Sequence, residues 1–483
     1  MTKIEPDAGS ALILGRGINS ITLDELASGI DTISAFTPPG TGGQIATFEF
    51  REIEDISRLR ETMNISASAS FAGGLGSGSA KASYLHSVSF STYAIYTYIR
   101  VKVTNQTVVI KDYKLTDEAI DYLKNYGEDS FFENFGDEFV ATTTSGGEFL
   151  AILQINTETL EEKKKIAGEM SGSYGYFSAA ADFSASLAKF NFHSSTRLFL
   201  MRRGGAGALP DINGIKAAAL NFPDEVAANA GNPVMIQLMT LPYAITTNRP
   251  NNIRLINIEK QRDALERLVL LREKATLKIN DYRYASETPY LFTDPDVTAI
   301  NNALVTCRTL VRQIDESALQ CRETRGRSCV EPPIDIPIVN LNWAIPLEPG
   351  LSVRAHVEGI GDMWETARKL AGTTGQNRRC EGISVAINPP IPGLYIEYMV
   401  HGEGYGDTTW GRDGAFIGTQ GQSLRIEGFA IRLIGPLAKF YDVVYVAHVE
   451  GKGDIQAQNG DYAGTRGENR RCEGLRVWTT RRV

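Results

Sequence analysis

What the chain has little of narrows it first. No stretch reaches 18 apolar residues, so no segment reads as a membrane-spanning helix. The opening ten residues, MTKIEPDAGS, lack a charged-then-apolar leader. The protein is therefore expected to be made soluble. If it leaves its cell, it is expected to do so by lysis, a dedicated secretion machine or a route without an N-terminal signature. A basic surplus is also missing: 49 Lys and Arg against 57 Asp and Glu give a net charge of -8, no field for nucleic acid or anionic lipid. Five cysteines, an odd number, exclude a fully paired internal framework. Cys321 and Cys329 are close enough to pair in an oxidising compartment. Five histidines (His86, His193, His356, His401, His448) include no metal-spaced set. Gly73 to Gly78 lacks the Lys-Ser/Thr ending of a phosphate loop. No nucleophile, base and orienting group share a motif, so neither an enzyme nor a cofactor is expected.

The most informative scarcity is local. In a chain with 22% charged residues, Ile65 to Phe90 holds one formal charge, Lys81, and Ser171 to Phe192 holds two, Asp182 and Lys189. Read at period two, Ile65, Ala67, Ala69 and Phe71 share one face, and Ser66, Ser68 and Ser70 the other. After a glycine-rich turn, Ala80, Ala82, Tyr84, Val88 and Phe90 alternate with Ser79, Lys81, Ser83, Ser87 and Ser89. The second segment repeats the logic: Phe177, Ala179, Ala181, Phe183, Ala185 and Leu187 alternate with Ser178, Asp182, Ser184 and Ser186. A strand with one face in lipid and one in water alternates in this way, and roughly 9–11 tilted residues cross a bilayer. On pattern alone, ordinary sandwich strands or flexible Gly/Ser linkers remain the alternative. Exposed in water, such strands would aggregate, so they must be stored in another form.

Between the two segments lies Phe135-Gly136-Asp137-Glu138-Phe139, followed six residues later by Gly146-Gly147. This resembles the signature of the membrane attack complex/perforin (MACPF) family: aromatic, Gly, Thr or Ser, His, aromatic, six residues, Gly-Gly. Asp137 and Glu138 depart from the usual hydroxyl residue and histidine. The resemblance covers about residues 10 to 330. It implies an α+β fold like that of the perforins and cholesterol-dependent cytolysins, with a bent central β-sheet and flanking helical clusters. It also implies that the flanking segments are packed as helices at first and extend as membrane-inserting hairpins on assembly. Gly136, Gly146 and Gly147 are candidates for the bend that relaxes.

Ala94 to Ile110 is β-rich and aromatic and suits a long strand of that sheet. Thr116 is placed to cap a helix over Leu115 to Tyr126. Phe149 to Ile155 reads as a strand and Thr157 to Lys165 as a charged, exposed connector. Leu198 to Met201 with Gly204-Gly205 resembles the strand and glycine pair that close the second segment. Helical spacing marks Ala264 to Leu277 and Val297 to Ile314, the latter opened by Thr293-Asp294-Pro295. The run Glu331-Pro332-Pro333 to Pro337 is the clearest boundary. It separates a pore-forming domain over 1–335 from a second domain over 336–483.

Beyond it the chain repeats itself. Gly361-Asp362, Gly406-Asp407 and Gly453-Asp454 recur, each followed by a Gly-Thr-x-Gly turn and then by Arg379, Arg425 or Arg471, which are 46 residues apart. Three copies of one β unit imply three sheets around an axis, an all-β prism-like domain. The pattern resembles the clostridial hydrophobic tryptophan repeats, with Gly-Asp where the hallmark is Gly-Trp. Asp362, Asp407 and Asp454 either receive a sugar hydroxyl or a cation, or cap glycine turns. Cys380 and Cys472, matched by Ile426, read as small buried residues. His356 and His448 read as hydrogen-bonding groups.

Together these features imply a pore-forming toxin, monomeric in solution, whose repeat domain finds a target-cell membrane through an unidentified glycan, lipid or protein. It would form a homo-oligomeric ring and insert two hairpins per subunit into a transmembrane β-barrel. The segments resemble those of bacterial perforin-like proteins, some insecticidal, which makes insect gut cells the preferred target. The alternative is a non-lytic adhesin or developmental protein on the same scaffold.

Overall fold

The computed structural model describes residues 2–4, 12–40, 43–72, 80–189, 196–229, 234–250, 258–293, 295–324, 329–333, 335–345 and 348–482. The glycine turn 73–79, His193 and Asp294 lie outside the described residues. Two compact units result: Met1–Tyr284 with Thr298–Val339, and Ala285–Val297 with Asn340–Val483.

The first unit is organised on a ten-stranded antiparallel sheet. Its body is β1 (Ile45–Ile53), β2 (Ala94–Ile110), β3 (Glu138–Asn156), β4 (Gly175–Phe177), β5 (Thr196–Arg203) and β6 (Val234–Pro242). β2 spans the residues that its β-branched and aromatic run predicts. β2 and β3 pair from Ala94 opposite Asn156 to Val109 opposite Thr142. The outer partner of β3 changes along its length. β6 covers it up to Gly146, and β5 takes over from Glu148. The sheet therefore divides at the glycine pair.

Around it lie α1 (Ile56–Thr62), α2 (Ala67–Ala72), α3 (Ala80–Ser87), α4 (Asp117–Phe135), α5 (Leu160–Ser171), α6 (Ala180–Ala188), α7 (Ile215–Ala228), α8 (Glu259–Glu287) and α9 (Val297–Arg322). Period-two alternation in β2 and β3 gives the upper sheet two apolar faces. Ile95, Ile99, Val101, Phe149, Ala151 and Leu153 pack against α5, α6 and α7. Ala94, Tyr96, Tyr98, Leu150 and Ile152 pack against α1 and α3, with Ala69 of α2 in the same cluster. The two charge-poor segments thus sit on opposite faces of one sheet.

Several sequence-based expectations change here. Residues 65–72 and 80–90 are not strands but α2 and α3 with their flanks, and 177–187 is α6 preceded by the three residues of β4. Serines of the supposed wet face, Ser68 and Ser70, are buried. This is the packed helical form that the family resemblance implies, and it rules out both sandwich strands and linkers for the described residues. The helix capped by Thr116 does not end at Tyr126. It passes a kink at Gly127 (φ 81°) and continues to Phe135. The connector 157–165 is largely helical: Thr159 caps α5, and Ile166 and Met170 bury its inner face. The two later helices run longer than their apolar spacing, to 259–287 and 297–322.

The second unit holds three antiparallel sheets. The first pairs Gly361–Thr366, Leu351–Val357 and Cys380–Ile387, and is completed by Ile417–Gly418 of the next repeat. The second pairs Tyr395–Gly402 with Ile426–Ile434 and takes Ala463–Gly464 from the third repeat. The third pairs Tyr441–Val449 with Cys472–Arg481 and takes Ala371–Gly372 from the first. Each repeat lends a strand to the one before it, and the series closes.

Candidate functional site

The signature is a junction. Gly136 ends α4 at φ +81°, and a Cβ there would lie 2.1 Å from the Ile18 carbonyl oxygen, so only glycine fits. Asp137 accepts from the Ser20 amide at 2.8 Å and the Ser20 hydroxyl at 2.6 Å. Burial pushes its carboxyl up to about 6, against the lowering effect of those hydrogen bonds. Glu138 accepts from Thr240 Oγ1 and from Arg262 at 2.7 Å. The two carboxylates that depart from the family pattern thus tie the N-terminal segment, β6 and α8 to the start of β3. Phe135 and Phe139 are buried in the cluster beneath them. Gly146, at φ +156°, has Val103 O 1.9 Å from where a Cβ would stand, and Gly147 lies against Val226 and Phe222 of α7.

Glu148 follows the glycine pair and faces the first segment. Its carboxylate lies 2.8 Å from Lys81 Nζ and 2.5 Å from Arg100, and the Lys81 and Glu148 side chains are each 1% exposed. Burial raises the Glu148 carboxyl, but Lys81 and Arg100 outweigh it and hold it well below its ordinary value. Most of the segment's apolar row is seated too, whereas Ala80, Ser83, Ser87 and Ser89 are exposed. Ile65, Ala67, Ala69, Phe71, Ala82, Tyr84, Val88 and Phe90 are buried, and Ala80 opens α3. Ala67 and Phe71 belong to a cluster with Leu265 and Leu268 of α8. Tyr84 donates to Phe199 O at 2.9 Å, Asn280 to Phe90 O at 2.8 Å, and Arg272 lies 3.2 Å from His86. Sequence reasoning missed Glu148 and Arg100. The available signal was the isolation of Glu148: between Phe139 and Asn156 it is the single charged residue.

The second segment is held more thinly. Phe183 and Leu187 are buried, with Phe183 4.9 Å from Phe48 and 5.9 Å from Phe177 between ring centroids. Ala179, Ala181, Asp182 and Ala185 are exposed, and α6 begins at Ala179 without a side-chain cap. β4 lies on the edge of β1 over Phe48 to Phe50 only.

In the repeats, Asp362, Asp407 and Asp454 cap no turns. Each accepts from a histidine Nδ1: His356 at 2.8 Å, His401 at 2.6 Å and His448 at 2.7 Å. His401 is thus a third equivalent, visible in the spacing His-x-Glu-Gly-x-Gly-Asp. The other oxygen of each aspartate meets Arg354 (2.6 Å), Arg466 (3.1 Å) or Arg476 (3.0 Å). Each carboxylate thus holds a histidine on one oxygen and an arginine on the other. Arg379, Arg425 and Arg471 bridge Glu358 with Glu381, Glu403 with Glu427, and Glu450 with Glu473. Buried Glu381, Glu427 and Glu473 then accept the amides of Gly421, Gly467 and Gly375 in the neighbouring repeat, at 2.8, 3.0 and 3.1 Å. Cys380 and Cys472 are buried, as is Ile426 at the matching place. Trp364 and Trp410, at equivalent positions, are 57% and 38% exposed.

The model of the clostridial hydrophobic W family matches residues 356–389, 401–435 and 448–481. No curated protein matches the chain. Among solved structures, stonustoxin is 14% identical over 66% of this chain and 42% of its own, with a TM-score of 0.38. GNIP1Aa from Chromobacterium piscinae is 11% identical over 99% of this chain and 83% of its own, with a TM-score of 0.29. A Bacteroides thetaiotaomicron protein with a MAC/Perforin domain is 13% identical over 50% of this chain and 56% of its own, with a TM-score of 0.23. The chain spans less than half the length of stonustoxin. Three stretches of the second unit thus match the clostridial hydrophobic W model, one per repeat.

Proposed function

We propose that this protein forms pores: it binds a target-cell membrane through its repeat unit, assembles into a ring and inserts residues 65–90 and 171–192 as two β-hairpins. One observation carries the reading. Each segment lies, together with α1 or α5, in the connection between two strands that already pair antiparallel, and both connections leave the same end of the sheet. The first joins β1 to β2, whose last pair is Ile53 with Tyr96. The second joins β3 to β5, whose last pair is Ile155 with Thr196. Straightening a whole connection, with α1 or α5 included, lengthens an existing hairpin by about 20 residues a side, of which roughly 9–11 suffice for a tilted membrane strand. In that extended register the apolar rows face lipid, and the rows holding Lys81 and Asp182 face water. Backbone groups in lipid are satisfied only once the barrel closes, which makes insertion collective. Departure of β4 with the second segment bares the edge of β1 for a neighbouring subunit. In the repeat unit, the exposed Trp364 and Trp410 are better contacts for a membrane or receptor than the three engaged aspartates. An insect gut target belongs to this proposal.

The test places a polarity-sensitive fluorophore on single added cysteines at Ser178, Ala179, Ala181, Asp182 and Ala185, all exposed in the folded form. On vesicles of insect midgut brush-border lipid, blue-shifted emission is expected at 179, 181 and 185 but not at 178 or 182, together with release of entrapped dye. Bound protein with neither leakage nor alternation would mark a non-lytic binding protein.

A further inference from the structure

We infer that the two segments leave the sheet in a fixed order, residues 171–192 first and 65–90 last, and that the buried Lys81–Glu148–Arg100 cluster is the gate between the two steps. This rests on the pore-forming reading and adds a sequence of events to it.

The asymmetry of the two seats carries the inference. The second segment rests on one face of the sheet through Phe183 and Leu187, with Ala179 to Asp182 and Ala185 in solvent. Its strand, β4, makes three residue pairs. The first segment is enclosed on two sides. Ala82, Tyr84 and Leu85 face the sheet, while Ala67 and Phe71 pack with α8 and α9. The neighbouring α1 is tied to α8 by Arg60, 2.8 Å from Glu273 and 2.6 Å from Glu266. The lone charge of the first segment, Lys81, is buried against Glu148.

A local opening free energy follows how much buried area and how many satisfied polar groups an excursion undoes, so the second segment opens on the smaller fluctuation. Lys81 makes the first step costly, because an ammonium leaving Glu148 must be rehydrated before the segment can extend. The cluster is nonetheless built to open. Glu148 keeps Arg100 at 2.5 Å when Lys81 departs, so no carboxylate is stranded in the core. In the extended register Lys81 falls between Ser79 and Ser83 on the wet row, so its charge does not enter lipid. Acid does not open the gate by itself, since the paired carboxylate stays ionised under mildly acidic conditions.

Native-state hydrogen exchange of the full chain in solution, followed by mass spectrometry, reads the order directly. Peptides within 180–189 are expected to open at least tenfold more often than peptides within 80–90. Lys81→Met, which keeps side-chain volume and leaves Glu148 with Arg100, is expected to raise opening of 80–90 by about tenfold to a hundredfold. Opening of 180–189 should not change, and the lag before dye release should shorten. Asp182→Asn, on an exposed residue, is expected to leave the exchange of 80–90 unchanged. Equal opening of the two segments in the native protein, or a Lys81→Met protein that exchanges like the native one in 80–90, overturns the inference. Absence of dye release by the native protein would instead refute the pore-forming reading, while the exchange result would still decide the order of opening.

Discussion

The closure of the repeat unit predicts an unusually costly glycine substitution. Gly418 sits at φ +114°, and a Cβ there would stand 2.4 Å from Glu381 O and 2.5 Å from the Cα of Gly382. The backbone conformation alone costs an L residue about 1–2 kcal/mol. The contacts are with backbone, so relief requires the borrowed strand to move away from its host. That movement disrupts the Thr419 amide bond to Glu381 O (2.8 Å) and the Gly421 amide bond to the Glu381 carboxylate (2.8 Å). A neutral hydrogen bond contributes about 1 kcal/mol and one to a charged group about 1.5–3 kcal/mol. Gly418→Ala should therefore destabilise the unit by about 4–6 kcal/mol, or about 10–20 °C in Tm at roughly 2–4 °C per kcal/mol. All four tryptophans of the chain (Trp343, Trp364, Trp410 and Trp478) lie in this unit, so their emission on heating the full-length protein reports on it alone. Gly421→Ala is the matched control. It stands at φ +69° with nothing within 4 Å of the added carbon, and should cost about 1 kcal/mol. Gly372→Ala and Gly464→Ala should resemble Gly418→Ala, because both would meet a facing glycine Cα at 2.4 Å. If Gly418→Ala melts within a few degrees of Gly421→Ala, the borrowed strands do not hold the unit together, and the reasoning fails.

Phe183→Ala should destabilise the packing of α6 by about 3–5 kcal/mol, since the ring is fully buried against Phe48. Hydrogen exchange in 180–189 should rise steeply, whereas a rise spread over the whole unit would contradict a local seat. His86 is held down to about 4 by burial and by Arg272, with Asp315 opposing. Its contribution to stability is therefore complete above about pH 6.5, the unfolded value, and is lost as pH falls through about 4. Urea midpoints between pH 7 and 4 should fall, and His86→Gln should flatten that slope. Asp137 has the opposite sign. With its carboxyl raised to about 6, its contribution is present below about pH 4 and lost as pH rises through 6. Asp137→Asn should accordingly stabilise the protein at pH 8 by about 1–3 kcal/mol in urea unfolding. Reducing the Cys321–Cys329 bond, which closes a short loop after α9, should cost about 2 kcal/mol, seen as a lower urea midpoint in reductant.

How much of this could be read beforehand depended on whether local rules and tertiary packing agreed. The long strand 94–110 was readable to its ends because β-branched and aromatic residues want the conformation that the sheet provides. Thr116 was readable as a cap, but the length of α4 was not. Gly127 reads as a stop, and burial of Phe131, Phe132 and Phe135 carries the helix past it. The charge-poor segments alternate like strands, yet fold as helices in this structure. Ala and Ser bear either conformation, so the partner decides, and the partner here is a sheet face already lined by Tyr96, Tyr98, Leu150 and Ile152. Thr159 and Glu162 form an N-terminal capping pattern that the run of lysines obscured. The repeat count was readable from spacing, whereas the exchange of strands was not. The glycines that permit it are spaced like ordinary turn glycines, and what distinguishes them is a facing glycine far along the chain, Gly382 for Gly418, Gly428 for Gly464 and Gly474 for Gly372.

The exchange of strands sets an arithmetic limit on how this part of the protein can evolve. In a linear array, one more copy can be appended behind a terminal cap, and one fewer still leaves a folded remainder. Here every copy is both lender and borrower, and Ala371–Gly372 from the first copy completes the last. Removing one leaves a sheet without its final strand and a strand without a host; inserting a fourth must widen the whole circle at once. The copy number is therefore expected to stay fixed among relatives while surface residues such as Trp364 and Trp410 drift freely, so new binding preferences can arise with no change of frame.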